Sequence, residues 1–335
     1  MVKFGVAGIP FTISRGGLKE IKEFCKIADE SRIDTVWTGD GAVHADPYAI
    51  LNIMAWETKR VELALGATNP YTRDPFVTAF SIGYLNEISG GRALLALGAG
   101  SREMLAAINM KWDQPVKRCR ETIEIVRRIL TGEKLTYDGE IFETHEAHLL
   151  DRRPAEVPIY LACRRPRMMT IAGSVADGVL LDGVPVEYVG YAINKVGEGL
   201  KTAGRRKNFR YANCIMCMIS EDGDAARNIV KRFPFPQFLI MAPHQMLEMA
   251  KIGLEEVAAI QNAVPNWDKA SELISDEVVE KLSITGTPQE CLRRFRAYIE
   301  KGIDEFNLVF PLGADMKKMI RFLDEDIIPR IEENA

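Results

Sequence analysis

The chain has little of what marks specialised protein classes. Six cysteines among 335 residues make no disulfide framework. Cys214-Ile215-Met216-Cys217 has the spacing of a redox motif, but it lies in a strand-like run. Period-two alternation puts its two sulfurs on opposite faces, so we read it as structural and the compartment as cytoplasmic. Neither sign of charge dominates: 43 basic residues face 47 acidic ones, a net charge of -4, which argues against nucleic acid or membrane as a partner. No apolar run reaches the roughly 20 residues needed to cross a bilayer. Met1-Val2-Lys3-Phe4-Gly5-Val6 reads as a strand rather than a signal peptide. No GxGxxG opens the first helix, so a Rossmann dinucleotide site is not expected. His145-Glu146-Ala147-His148 is one residue short of a zinc-helix motif and sits in a strand-or-loop segment, so no metal is expected. There is no repeat period and no low-complexity segment.

What is present is a globular composition, 47% hydrophobic and 27% charged, and length for two ordinary domains or one large barrel. The chain is organised around the stretch from Val61 to Ser101. Two apolar runs, Val61 to Leu65 and Ala93 to Leu97, each open into a small-residue loop: Gly66-Ala67-Thr68-Asn69-Pro70 and Gly98-Ala99-Gly100-Ser101. A helical pattern from Pro75 to about Ile88 separates them and stops at Ser89-Gly90-Gly91. Strand, loop, helix, strand is the parallel crossover unit, which puts both loops at the carboxyl end of one sheet. Glycine and alanine there let a flat or charged ligand approach the backbone.

The unit repeats along the chain. Strands are expected at Lys3–Ala7, Asp34–Thr38, the two runs above, Ile159–Ala162, Gly178–Leu181, Tyr211–Ile219 and Glu305–Phe310. Residues 8–17 read as a loop, and an amphipathic helix follows over Leu18–Ser31. Further helices are expected at Pro47–Thr58, Glu103–Ile108, Val116–Leu130, Pro166–Val175, Val186–Ala203, Asp224–Arg232, Thr287–Lys301 and Met316–Ile331. Thr287 is an N-cap with Pro288 at the first helical position. Eight strands with helical crossovers predict an α/β fold of the (β/α)8 TIM-barrel type, with a doubly wound open sheet as the alternative. We expect one domain over 1–335. It carries a hairpin excursion over about 131–150, turning at Tyr137-Asp138-Gly139-Glu140, and a helical insertion over about 233–285.

The segments DTVWTGD, LGATNPYTRDPFVTA, LNEISGGRALLALGAG, VPIYLACRRPRMMTIAGSVADGVLL and VVEKLSITGTPQECLRRF resemble the bacterial-luciferase-like superfamily. Within it, the chain is most similar to the methylenetetrahydromethanopterin reductase branch, which uses coenzyme F420. The resemblance covers nearly the whole chain. It implies a TIM barrel, a homodimer and a flavin or 5-deazaflavin at the carboxyl ends of the strands. It also implies a non-prolyl cis peptide after the third strand, here Gly66-Ala67, supporting the middle ring. Asp40 would lie near the ring, with Thr68 and Asn69 beside it. Gly98, Ala99, Gly100 and Ser101 would line the ring or tail, and Ala162-Cys163-Arg164-Arg165 would take the phosphate. Three positions depart from the pattern. Ala7 stands where the reductase branch carries a glutamate, and Gly41 and Ser101 stand where other deazaflavin members carry a histidine and a glutamate.

Several residues carry two readings. Asp40 is a ring-contacting or catalytic carboxylate, or a loop aspartate bonded to its own backbone. Asn69 is a ring contact or a turn residue. Of Arg164 and Arg165, one is expected to reach phosphate and the other not. Glu103 is a displaced general acid or a first-turn helix carboxylate. His44 is a loop histidine that offers an acid/base group or only faces solvent. Met241, Met246 and Met249 line a cleft or pack in the core. The expected function is F420-dependent hydride transfer between the deazaflavin C5 and a small organic substrate, a pterin or related C1 carrier, bound beneath the insertion. The alternatives are an FMN-dependent monooxygenase of the same superfamily and a non-catalytic flavin-binding member.

Overall fold

Small and large residues alternate along the strands, and the alternation sorts them between the inside of a barrel and the helices around it. The computed structural model describes residues 1–7, 9–40, 46–150, 154–204, 208–232 and 234–333, with only the backbone for 9–16. Strands β1 (Lys3–Ala7), β2 (Thr35–Thr38), β3 (Glu62–Thr68) and β4 (Ala93–Gly98) pair in that order. β5 (Leu135–Asp138) and β6 (Glu143–Ala147) form a separate antiparallel pair. The main sheet continues with β7 (Ile159–Cys163), β8 (Gly178–Asp182), β9 (Arg210–Ile219), the short β10 (Ser283–Gly286) and β11 (Glu305–Val309). All its pairings are parallel, and β11 returns to β1, Lys3 lying opposite Glu305 and Ala7 opposite Val309. The sheet has nine strands. Without β10, which pairs with β9 alone, eight close on themselves, and the expected (β/α)8 barrel has all its carboxyl ends at one mouth.

The crossovers start where local chemistry starts them. α1 (Ile9–Glu30) precedes β2; α2 (Pro47–Glu57) and α3 (Pro75–Ile88) follow Asp-Pro pairs. Asp46 accepts from Tyr48 and Ala49 N–H at 2.9 and 3.0 Å, and Asp74 from Phe76 N–H at 2.7 Å. Such caps stabilise a helix by about 1 kcal/mol, and proline at the first position has no N–H to orphan. α4 (Arg102–Ala107), α5 (Pro115–Leu130), α6 (Pro166–Val175), α7 (Val186–Thr202) and α8 (Gly223–Val230) complete the jacket up to β9 and beyond it. Between α8 and β10 run α9 (Phe235–Ile240), α10 (His244–Met249), α11 (Leu254–Ala263), α12 (Trp267–Glu272) and α13 (Asp276–Leu282). α14 (Pro288–Glu300) opens on a full capping box between Thr287 and Glu290. α15 (Met316–Phe322) and α16 (Ile328–Glu332) end the chain.

The sequence reading and the structure differ at three places. Residues 9–16 are helical rather than a loop, and α1 absorbs Gly17 at φ 68°, a left-handed turn inside the element. Ser283–Gly286 is an unexpected strand. The last helix is not continuous: a π-helical turn over Leu323–Ile327 divides it. No helix among the described residues is long and apolar enough to cross a membrane.

Outside the barrel, Phe4, Val6, Leu63, Leu65, Leu95 and Leu97 face the helices, and each is fully buried. Burying a side chain of this kind stabilises the fold by about 1.5–3 kcal/mol. Inside, Trp37 and Tyr160 fill the middle. Their neighbours are small because the rings leave no room. A Cβ at Gly5 would lie 2.5 Å from Trp37 Nε1, one at Gly66 2.3 Å from Trp37 Cε3, and one at Gly178 2.7 Å from Tyr160. The amino-terminal end of the barrel is ionic. Lys3 Nζ donates to Glu62 at 2.8 Å, Thr35 to Glu62 at 3.1 Å, and Tyr160 OH to the buried Glu305 at 3.0 Å. Arg210 Nε lies 3.6 Å from Glu305, whose burial pushes its carboxyl up from 4.5 to about 7.

Candidate active site

The mouth is assembled from the turns that follow β2, β3, β4, β7 and β8. β3 ends in a cis peptide between Gly66 and Ala67, the bond the resemblance implies, and the register to β4 shifts there between Gly66 and Thr68. Ala7, Ala67 and Ala162 pack around the Trp37 cluster as half-buried residues. Gly98 adds no side chain: a Cβ there would meet Ala67 at 3.4 Å and Ala162 at 3.6 Å. The result is a floor of methyl groups and bare backbone above Trp37.

Asp40 stands at one rim, its side chain 10% exposed. Its Oδ2 accepts from Thr68 Oγ1 at 2.7 Å and lies 3.5 Å from Arg73 Nε. Its own N–H donates to Ala67 O at 3.3 Å. Arg73 also pairs with Asp46 and lies over the Tyr48 ring at 4.7 Å. The carboxylate therefore belongs to a network that joins the loops after β2 and β3. Arg73 was not singled out from the sequence; the only signal was its place just before Asp74-Pro75.

Asn69 is buried, and its Oδ1 accepts from Tyr71 N–H at 3.1 Å, Thr72 N–H at 3.0 Å and Thr72 Oγ1 at 3.2 Å. Its oxygen is spent on the turn, leaving the amide nitrogen for any ligand. After β4, Ala99 O accepts from the partly exposed Trp112 Nε1 at 2.8 Å, and Gly100 turns at φ 68°. Ser101 caps α4 and donates its hydroxyl to Glu103 at 2.8 Å. Glu103 is exposed in the first turn of α4, where a carboxylate suits the helix dipole.

After β7 the four predicted residues divide. Ala162 faces inward. Cys163 faces the helices, buried, and burial pushes its thiol well up, so only its backbone is at the mouth. Arg164 turns over the opening and pairs with Asp182, the last residue of β8. Arg165 is exposed at the N-cap of α6, a helix without a side-chain cap. Beside Arg164 a cleft opens to solvent between the barrel and the insertion. Cys214, Met216 and Val309 form its barrel side, and Phe235, Phe238, Leu239 and Met246 its lid side. Met246 is thus both buried and cleft-lining, whereas Met241 and Met249 are partly exposed. Cys214 faces the cleft and Cys217 the helices, as alternation requires. Asp182 lies one residue past the strand expected at Gly178–Leu181, and nothing in the sequence ties it to Arg164. Gly41 and His44 lie outside the described residues.

The chain is similar to known proteins over nearly its whole length. The profile of the luciferase-like monooxygenase family matches residues 4–305. A 5,10-methylenetetrahydromethanopterin reductase of Archaeoglobus fulgidus is 32% identical, over 99% of this chain and 100% of its own. One from Methanolobus tindarius is 33% identical, over 96% and 99%. The solved coenzyme F420-dependent tetrahydromethanopterin reductase of Methanopyrus kandleri superposes with a TM-score of 0.89 at 26% identity, covering 98% of this chain and 99% of that one.

Proposed function

Because the chain belongs to the luciferase-like monooxygenase family and matches its methanopterin reductases end to end, we propose that it is a coenzyme F420-dependent oxidoreductase. The observation that carries this reading is the floor of the mouth. Ala7, Ala67, Ala162 and Gly98 present only methyl groups and backbone, the small groups that a planar tricyclic ring needs beneath it. The exposed Arg165 and the uncapped start of α6 suit an anion at the other end of such a ligand. The residues present therefore fit the cofactor. Asp40, Thr68 and Asn69 border the ring, Gly98 to Ser101 line ring or tail, and the Ala162–Arg165 turn takes the phosphate through its backbone and one of its two arginines. When bound, F420 supplies hydride transfer at its C5 carbon.

The chain's own contribution is placement and exclusion of water. Among the described residues, Thr68 and Arg73 hold Asp40 by Oδ2 alone, leaving Oδ1 to accept from a ligand. The apolar cleft beneath α9 and α10 receives the substrate, and its Met and Phe side chains keep water from the reacting carbon. Methylenetetrahydromethanopterin, the substrate in the relatives' names, or a related C1 carrier is the candidate, which would give the protein a role in one-carbon metabolism. We assign it to the cytoplasm. We also assign a homodimer, supported by the apolar face that α2 and α3 expose: Trp56 is 81% exposed, Phe80 50% and Val77 44%.

Titration of the purified protein with F420 and, separately, with FMN, followed by fluorescence, tests the reading. F420 should bind and FMN should not. The reverse preference would move the assignment to an FMN-dependent monooxygenase, and binding of neither would remove the cofactor site.

A further inference from the structure

The two arginines after β7 are committed differently. The Arg164 side chain is only 14% exposed, and it joins separate parts of the chain. One guanidinium nitrogen pairs with Asp182 of β8, and another donates to Phe238 O of α9 at 3.3 Å. Its carbonyl accepts from Tyr188 OH of α7 at 3.4 Å. Phe238 belongs to the helix that covers the cleft. The other contacts of α9 at the cleft, through Phe235 and Leu239, are apolar and non-directional. Arg165, by contrast, is exposed and makes no ion pair among the described residues.

We propose that Arg164 is a positioning residue that fastens α9 over the substrate cleft, that Asp182 holds it in place, and that the anionic end of the cofactor falls to Arg165. The proposal rests on the phosphate site assigned above to Ala162–Arg165. A guanidinium presents a fixed planar fork. To offer that fork to phosphate, Arg164 must give up Asp182 or Phe238 O, and either loss loosens the cover. Arg165 meets an anion without breaking a bond.

The test uses the full-length protein and Arg164→Ala, Arg164→Lys, Asp182→Asn and Arg165→Ala. Two quantities are read: amide hydrogen exchange of Phe235–Ile240 and the Kd for F420. Arg164→Ala should speed exchange of α9 by about tenfold or more, with the Kd for F420 changed by less than about twofold. Asp182→Asn should do the same to a smaller degree, and Arg164→Lys should recover part of the protection because a point charge still reaches Asp182. Arg165→Ala should leave exchange alone and weaken F420 by about tenfold. Weakened F420 binding in Arg164→Ala with unaltered exchange would make Arg164 the anion ligand and overturn the proposal, as would a variant identical to the parent in both. If the parent itself does not bind F420, the cofactor reading falls, while the exchange measurements still decide the role of Arg164. Should Arg164→Ala not fold, the lysine and asparagine variants carry the exchange test.

Discussion

At the amino-terminal end of the barrel, β1, β3, β7, β9 and β11 send Lys3, Glu62, Tyr160, Arg210 and Glu305 inward. A few residues further along, the same strands present Ala7, Gly66, Ala162, Cys214 and Val309. At one end polar side chains pair with one another and close the barrel, with Arg210 Nε and Glu305 Oε1 left without a hydrogen bond among the described residues. At the other the side chains shrink, and the backbone is left to meet whatever enters. Between the two lie Trp37 and Tyr160, which separate them as a solid plug. The contrast teaches that the strands are built in series: stability at the start, access at the finish.

Removing a charge from the closed end should cost the most. Arg210→Ala leaves Glu305 buried without its facing cation, and unfolding free energy should drop by about 3 kcal/mol, the low end for a buried pair because Arg210 is partly exposed. F420 affinity, read at a temperature where the variant is folded, should not change. The same end has a pH signature. A carboxyl that titrates near 7 when folded, against an ordinary 4.5, binds its proton more readily in the folded chain. Its stabilising contribution is therefore complete below about pH 4.5 and lost as pH rises through about 7. Glu305→Gln should gain on the parent, from pH 5 to pH 8, by an amount on the order of 3 kcal/mol. Denaturant titrations at the two pH values check this, and a difference between the proteins that does not vary with pH removes Glu305 as the titrating group.

The plug is the next place to strike. Gly66→Ala drives a methyl group into the buried Trp37 ring, and overpacking of this sort costs about 1–3 kcal/mol. Because Gly66 ends the floor, F420 binding should weaken along with stability, joining effects that the two ends otherwise keep apart. A variant that loses stability and keeps its affinity would show that the floor does not touch the ligand. The smallest expected change in stability is at the open rim. Asp40→Ala gives up the Thr68 bond and should cost about 1 kcal/mol. Its F420 affinity or hydride-transfer rate should nevertheless fall, and a variant matching the parent in both would take Asp40 out of the site.

Most of this architecture was legible in the sequence because its signals are local. Apolar runs ending in Gly-Ala or Gly-Ala-Gly marked strands and their mouths, and Thr287-Pro288 marked the start of α14. What escaped had no local signal. Ser283–Gly286 is four residues long and merges with the helix before it, so nothing in its pattern says strand; only β9 beside it does. The helical backbone of 9–16 runs into Gly16 and the kink at Gly17, a glycine pair that reads as the end of a loop. Arg73 and Asp182 became site residues only when folding brought Asp40 and Arg164 to them. Asn69 shows the opposite limit. Its type allowed a ring contact or a turn residue, and three donors of its own turn take its oxygen while its amide nitrogen is left for a ligand.

β9 is twice the length of β8 or β11, and Met216–Ile219 pair with Ser283–Gly286 of β10. Adjacent strands lie about 4.8 Å apart, so the chain leaves for the insertion and comes back at nearly the same point. Everything between is a cassette on a two-strand hinge post. Because closing a longer loop adds little entropy cost, the exposed turns of that cassette tolerate added length, while Phe235, Leu239 and Met246, buried in the core that it shares with the barrel, do not tolerate removal. For protein engineering, the cleft-facing side chains of this segment are the ones to vary, because the strand pair that carries them stays in place.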